Sequence, residues 1–142
     1  MKTLKRKTNA GFTLIEIMLV IIIIVALMAV LLPAMMTKMK QVKIDQAVIY
    51  MTTLAGDIAQ YDMRNGSPPT TNQGLKALVE MPQGEPRPRR WSQFETEIRL
   101  DPWNNEYRYE FPGKRSKTGF DLYSCGPDLQ PDTADDIVFE SR

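Results

Sequence analysis

Two groups of residues in this chain are of the types and spacing that do chemistry. The first is Gly11-Phe12-Thr13-Leu14-Ile15-Glu16, at the mouth of an apolar run of twenty uncharged residues from Ile17 to Met36. An ionised carboxylate at membrane depth costs on the order of 3 kcal/mol or more unless a positive group meets it. No Lys or Arg lies between Lys7 and Lys38. The partner of Glu16 therefore comes from outside the run: a newly made α-amino group, another chain, or the lipid surface. A cut after Gly11 would create such an amine on Phe12, one helical turn from Glu16. The second group is Asp128, Asp132, Asp135 and Asp136, four carboxylates within nine residues. Their mutual repulsion disfavours a compact turn unless a cation neutralises them. Hard oxygen donors without histidine suit calcium rather than zinc or copper. The spacing is not that of an EF-hand, and on spacing alone a calcium site and a solvated acidic turn are equal readings.

Other chemistry is excluded or disfavoured by composition. The chain has no histidine, which removes imidazole general-base catalysis and histidine-ligated zinc. Ser124, Cys125 and the nearby aspartates could be named as nucleophile and bases of a membrane-anchored enzyme, but no lysine or histidine is adjacent to activate them. Cys125 is the only cysteine, so no intrachain disulfide staples the fold. The 18 basic residues less the four of the N-terminal segment leave 14 against 17 acidic ones. That mildly acidic balance gives no footing for nucleic-acid binding.

Several elements must position these groups. Residues 1–11 carry Lys2, Lys5, Arg6 and Lys7 and no acid, the character of a leader retained on the cytoplasmic side. Residues 12–36 are long and apolar enough to cross a bilayer as a helix. A plain signal anchor, or a signal peptide cut near Ala29 or Ala34, would also have this profile but would leave Glu16 without a role. Pro33 predicts a kink within the span. Residues 37–142 are one small domain. Its first part is a helical stripe of Ile44, Ala47, Val48, Met51, Leu54, Ala55, Ile58 and Ala59, so one helix from about Phe12 to about Met63 has a lipid-facing half and an amphipathic half. Asn65-Gly66 ends it and Pro68-Pro69 prevents resumption.

Thr70 with Gln73 forms a capping box that predicts a short second helix to Val79. The Pro-rich, basic segment up to Trp91 reads as a surface loop, anchored by Trp91 with its arginines solvated or paired. Tyr107 to Phe111 and Phe120 to Tyr123 alternate around Pro112-Gly113, and Asp136 to Phe139 adds a third candidate strand. The fold class is α+β: a long N-terminal helix packed by a short helix and a small antiparallel sheet.

The heptapeptide from Gly11 to Ile17, G-F-T-L-I-E-I, resembles the signature of type IV pilins and pseudopilins. The resemblance implies cleavage after Gly11 by a prepilin peptidase, N-methylation of Phe12, and pairing of Glu16 with the terminal amine of a neighbouring subunit. A second resemblance runs through P-T-T-x-Q-G-L-x-A-L from Pro69, Arg90-Trp91, D-P-W-x-N-x-Y-x-Y from Asp101 and F-D-L-Y-S-x-G-x-D from Phe120. These are similar to the major pseudopilin of type II secretion, general secretion pathway protein G. What this implies is a pilin-like homopolymer, the periplasmic pseudopilus. It would be built with minor pseudopilins by an inner-membrane platform protein and a cytoplasmic ATPase, and its growth would drive folded proteins across the outer membrane. The location implied is the bacterial inner membrane, single-pass with the C-terminal domain in the periplasm. A type IV major pilin for adhesion or DNA uptake is the alternative, but such pilins often close the C-terminal region with two cysteines. The resemblance also implies one structural Ca2+ in the final loop, with Asp128 and Asp136, the Cys125 carbonyl, and either Asp132 or Asp135. The chain departs from that pattern in a shortened loop, in Cys125 where Leu is usual and in Pro127 where Ala is usual.

Overall fold

A computed structural model describes residues 11–140 of the chain. The leader assigned to 1–11 lies outside the described residues apart from Gly11. Helix α1 runs Leu14–Asn65, through Pro33. Two compact units meet within it, between Lys40 and Gln41. In the first, the large apolar side chains from Leu14 to Met36 are all between 45 and 83% exposed. In the second, Ala47, Met51, Leu54, Ala55, Ile58 and Tyr61 are buried. The stripe is narrower than its apolar residues suggest, because Val48 and Ala59 lie on its exposed margins and Tyr61 extends it by one turn. Gly66 closes the helix at φ +86°, and its N–H donates to the Asp62 carbonyl at 2.7 Å. That left-handed cap is cheap only without a Cβ.

The capping box forms: the Thr70 N–H donates to Gln73 Oε1 at 3.0 Å and the Gln73 N–H to Thr70 Oγ1 at 3.3 Å. The helix expected after it does not develop. Gly74 takes φ +59° and ψ −165°, which no α-helical residue adopts. Only the 3-10 turn Leu75–Leu78 follows. It buries Leu75, Ala77 and Leu78 against α1, where they share one core with Tyr107, Tyr109, Phe120 and Leu122.

Three short strands make an antiparallel sheet in the order β1 (Arg108–Glu110), β2 (Asp121–Ser124), β3 (Ile137–Val138). Tyr109 pairs with Leu122, and Ser124 with Ile137. β1 alternates as expected, with Tyr109 buried and Arg108 exposed. β2 does not: all four of its residues are buried. A central strand covered on both faces loses the period-two signal that marks a half-exposed one. The Pro-rich segment is an irregular loop, tied down where Trp91 Nε1 donates to the Ala77 carbonyl at 2.8 Å and the Arg90 N–H to Asn65 Oδ1 at 2.9 Å.

Candidate functional site

Glu16 sits in the first turn of α1. The Thr13 N–H and hydroxyl donate to its Oε2 at 3.3 and 3.4 Å, and the Glu16 N–H donates to Thr13 Oγ1 at 3.3 Å. This reciprocal capping box satisfies helix-end donors and holds the carboxylate over the positive end of the helix. Gly11 and Phe12 precede the helix and are exposed, Phe12 by 79%. The sequence-predicted cleavage residue and terminus thus lie just before α1 and the acid in its first turn, at the start of an apolar surface that is exposed among the described residues.

The buried polar centre of the folded unit is Asp101. Its Oδ1 accepts from the Trp103 and Asn105 N–H groups at 2.9 and 2.8 Å. The Ser124 hydroxyl donates to its Oδ2, and the Gly126 N–H donates to Ser124 Oγ at 3.1 Å. Ser124 and Cys125 are 0 and 2% exposed. Ser124 is therefore a strut joining the Asp-Pro-Trp turn to the end of β2, and both it and the Cys125 side chain are closed off from solvent in the folded unit. Gly126 packs so tightly that a Cβ there would lie 2.5 Å from the Asp135 carbonyl.

The four carboxylates of the final loop fall into two sets. Asp132 and Asp136 meet on one guanidinium: Arg115 Nη2 donates to Asp132 Oδ1, and Nη1 to Asp136 Oδ2 at 3.2 Å. Asp136 Oδ2 also accepts the Asp132 N–H at 2.9 Å. Asp135 accepts from the Thr133 hydroxyl at 2.8 Å, and Asp128 from the Gln130 N–H at 3.0 Å. The Thr133 hydrogen bond, with help from Asp128, holds the Asp135 carboxyl below the usual carboxylate range. One oxygen, Asp136 Oδ1, is buried without a partner. A single donor is not a cage, and among the described residues no three acidic or thiol side chains converge as a metal ligand set. The donors are nonetheless of the hard-oxygen kind that a calcium ion takes, and the unpartnered Asp136 Oδ1 is an oxygen such an ion would satisfy.

Two residues of this site were given no role by the sequence. Arg115 lies in Lys114-Arg115-Ser116-Lys117, which has the look of a solvated charged turn. Asp121 stands in β2 and is 1% exposed. Its two oxygens accept the N–H groups of Lys114, Arg115 and Ser116 at 2.6 to 3.0 Å. Burial works against its ionisation, but those backbone donors and the Arg115 charge outweigh it and keep the carboxyl below its ordinary value. The sequence signals for Asp121 are an acid within the otherwise apolar run Phe120 to Tyr123 and its place in F-D-L-Y-S-x-G-x-D.

Comparison with known proteins bears on both units. The profile of the type II secretion system protein G family matches residues 34–139. The chain belongs to the type II secretion system protein G family. It is 38% identical to the type II secretion system core protein G of Pseudomonas aeruginosa over 127 residues, which is 88% of each chain. It is 40% identical to that of Dickeya chrysanthemi, over 89% of this chain and 83% of the relative. The crystal structure of the major pseudopilin from the type 2 secretion system of enterohaemorrhagic Escherichia coli superposes with a TM-score of 0.67 at 33% identity, covering 72% of this chain and 90% of that one. The prokaryotic N-terminal methylation motif matches residues 6–32, which include Gly11, Phe12 and Glu16. This protein is thus a membrane-anchored pseudopilin of type II secretion, and the type IV adhesion or DNA-uptake pilin is not the reading these similarities favour.

Proposed function

We propose that this pseudopilin polymerises through residues 12–36 into the periplasmic pseudopilus of a type II secretion system, and that growth of the filament drives folded proteins across the outer membrane. The observation that carries this reading is the state of the first unit of α1. Its apolar side chains are at least 45% exposed from Leu14 to Met36, with one acid at the helix start. Exposed apolar area costs roughly 25 cal/mol per Å2 in water, so this surface has to be covered, first by lipid and then by the same helix of other copies.

The steps follow from the chemistry of the N-terminus. A prepilin peptidase hydrolyses the Gly11–Phe12 bond and transfers a methyl group from a sulfonium methyl donor to the new Phe12 amine, leaving a secondary amine that carries a positive charge when protonated. The Glu16 carboxylate of the next copy then exchanges its Thr13 donors for that charge, which sets the axial position of each added subunit. Before assembly the subunit spans the inner membrane once, with its C-terminal domain in the periplasm. A platform protein and a cytoplasmic ATPase add it at the filament base, and minor pseudopilins join the assembly. The role is structural rather than enzymatic, in keeping with the burial of Ser124 and Cys125.

Two measurements test this together. Intact-mass analysis of the purified protein is expected to show a chain that begins at methylated Phe12. Glu16→Ala is expected to insert in the membrane yet lose most filament, read by cross-linking and microscopy. A chain that keeps its first eleven residues while secretion proceeds, or undiminished filament in the variant, overturns the proposal.

A further inference from the structure

We infer that the globular units of successive copies meet through an unlike pair of surfaces, the basic loop at Arg89-Arg90 of one copy seated in the acid-rimmed groove beside β1 of the next. This rests on the filament reading and deepens it. The apolar helices supply the free energy of assembly, and this contact sets how each domain is turned against its neighbour.

The groove lies along an open sheet edge. The Phe139 N–H donates to the Leu122 carbonyl at 2.8 Å, so the main chain of Leu122 faces β3. Tyr109, paired with Leu122 on the other side, therefore turns its N–H and C=O away from β2, as antiparallel alternation requires. Two residues on, the Phe111 N–H donates to Thr71 Oγ1 and that hydroxyl donates to the Phe111 carbonyl, each at 2.9 Å. Tyr109 has no such plug among the described residues. An unpaired strand edge is a template for another chain and is ordinarily covered. Beside it is an open groove of about 920 Å3, lined by residues of β1 and of the segment 96–100. Glu80, Glu97, Glu106 and Glu110 line it, and none of the four is in an ion pair among the described residues. Lys76 and Arg108 line it too, while a third base, Arg99, is drawn over the Tyr50 ring, 5.4 Å from its centroid. The rim is left acidic.

The same chain carries the matching charge in its Pro-rich loop. Arg87, Arg89 and Arg90 are exposed around buried Pro88. Their segment is pinned: Gln73 Nε2 donates to the Pro86 carbonyl at 2.9 Å, the Arg90 N–H to Asn65 Oδ1 at 2.9 Å, and Trp91 Nε1 to the Ala77 carbonyl at 2.8 Å. A main chain already fixed has little left to order on contact. Arg87 has only exposed Glu85, at 3.7 Å, a pair of small worth. Arg89 and Arg90 are in no ion pair among the described residues. Loop cations and groove acids thus do not meet within one chain, and a second copy brings them together. Arginine suits such a groove because its fork bonds carboxylates two at a time and stacks on aromatic rings, and Tyr107 and Tyr109 line it. Because loop and groove are different surfaces, each copy offers one to the neighbour on either side, a head-to-tail contact that extends instead of closing. Exposed ion pairs contribute little free energy each, so the contact selects orientation more than it adds affinity.

The test uses the full chain assembled into filaments, where Cys125, the only native cysteine, is buried. Filaments made from a mixture of Arg89→Cys and Glu106→Cys chains are treated with a short flexible bismaleimide. Covalent dimers holding one chain of each kind are expected, identified by mass, and none from either variant assembled alone. Intact mixed filaments that give no such dimer overturn the inference and leave the filament reading standing, whereas a wild type that forms no filament brings both down. Charge reversal is the second arm. Arg89→Glu with Arg90→Glu, and separately Glu97→Lys with Glu106→Lys, are expected to lower filament yield about threefold or more at an unchanged thermal midpoint. All four changes in one chain are expected to regain most of the yield, since the two surfaces then match again with their signs exchanged. A combined variant no better than either pair overturns the pairing of these surfaces. If a charge-reversed chain does not fold, the cross-link decides alone.

Discussion

The two parts of α1 have the same backbone and opposite fates. Before Lys40 the helix carries Leu, Ile, Val and Met on every side and buries none of them; after Gln41 it turns one apolar stripe inward and buries Met51, Leu54 and Ile58 completely. The difference teaches that helical pattern reports what will cover a helix. A stripe is matched by the chain's own sheet and loops, whereas an all-round apolar surface is matched only by lipid or by other copies. Assembly free energy therefore resides in one part and folding free energy in the other.

Substitutions on either side of Lys40 should break or sharpen that division. The largest effect expected is with Glu16→Ala, which should abolish most filament while leaving the thermal midpoint of the folded unit unchanged; a shifted midpoint would show that the parts are not independent. Next is Asp121→Asn, which replaces an acceptor of four N–H bonds by a group with two donors of its own, at a cost of roughly 3 kcal/mol or more. Chemical denaturation of the two proteins reads this directly. Leu54→Ala removes a fully buried side chain and should cost about 2–5 kcal/mol. The matching change on the other part, Ile22→Ala, at a residue 64% exposed, should alter folding stability by less than about 0.5 kcal/mol.

The smallest effect concerns acid. Because the folded Asp121 carboxyl lies below its ordinary value, the unfolded chain takes up its proton first as pH falls. The stability it contributes is complete above the unfolded value of about 3.9 and is lost as pH drops through the lower folded value. The gap between wild type and Asp121→Asn should hence narrow only below about pH 4. A gap that closes nearer neutrality would assign the proton to another group.

Much of this was legible in the chain, for identifiable reasons. The long helix, its stop at Asn65-Gly66 and the grouping of Gly11, Phe12 and Glu16 rest on local signals, namely an uncharged run, a left-handed cap and residue spacing. The capping box at Thr70 was equally local and did form, but Gly74 ended the helix it announced, since a glycine permits a conformation that the preceding signal does not exclude. The sheet was placed correctly in outline while β2 concealed itself by being covered on both faces. Arg115 escaped notice because a basic residue between two lysines looks solvated, and its partners, Asp121, Asp132 and Asp136, are brought to it by the sheet. A contact set by tertiary folding leaves no spacing to read. The carboxylates of the last loop were seen as a group for the same reason in reverse: they are neighbours in sequence, and in space they separate into two sets.

One buried sulfur has a practical consequence. Because Cys125 lies between the Ser124 strut and the crowded Gly126, and is 2% exposed, a maleimide can attach only during moments when the end of β2 lifts away from Asp101. The speed of alkylation in an otherwise unaltered subunit therefore clocks how often that corner breathes. Repeating the measurement on assembled fibres would tell whether incorporation tightens a region far along the chain from the helices that join the copies.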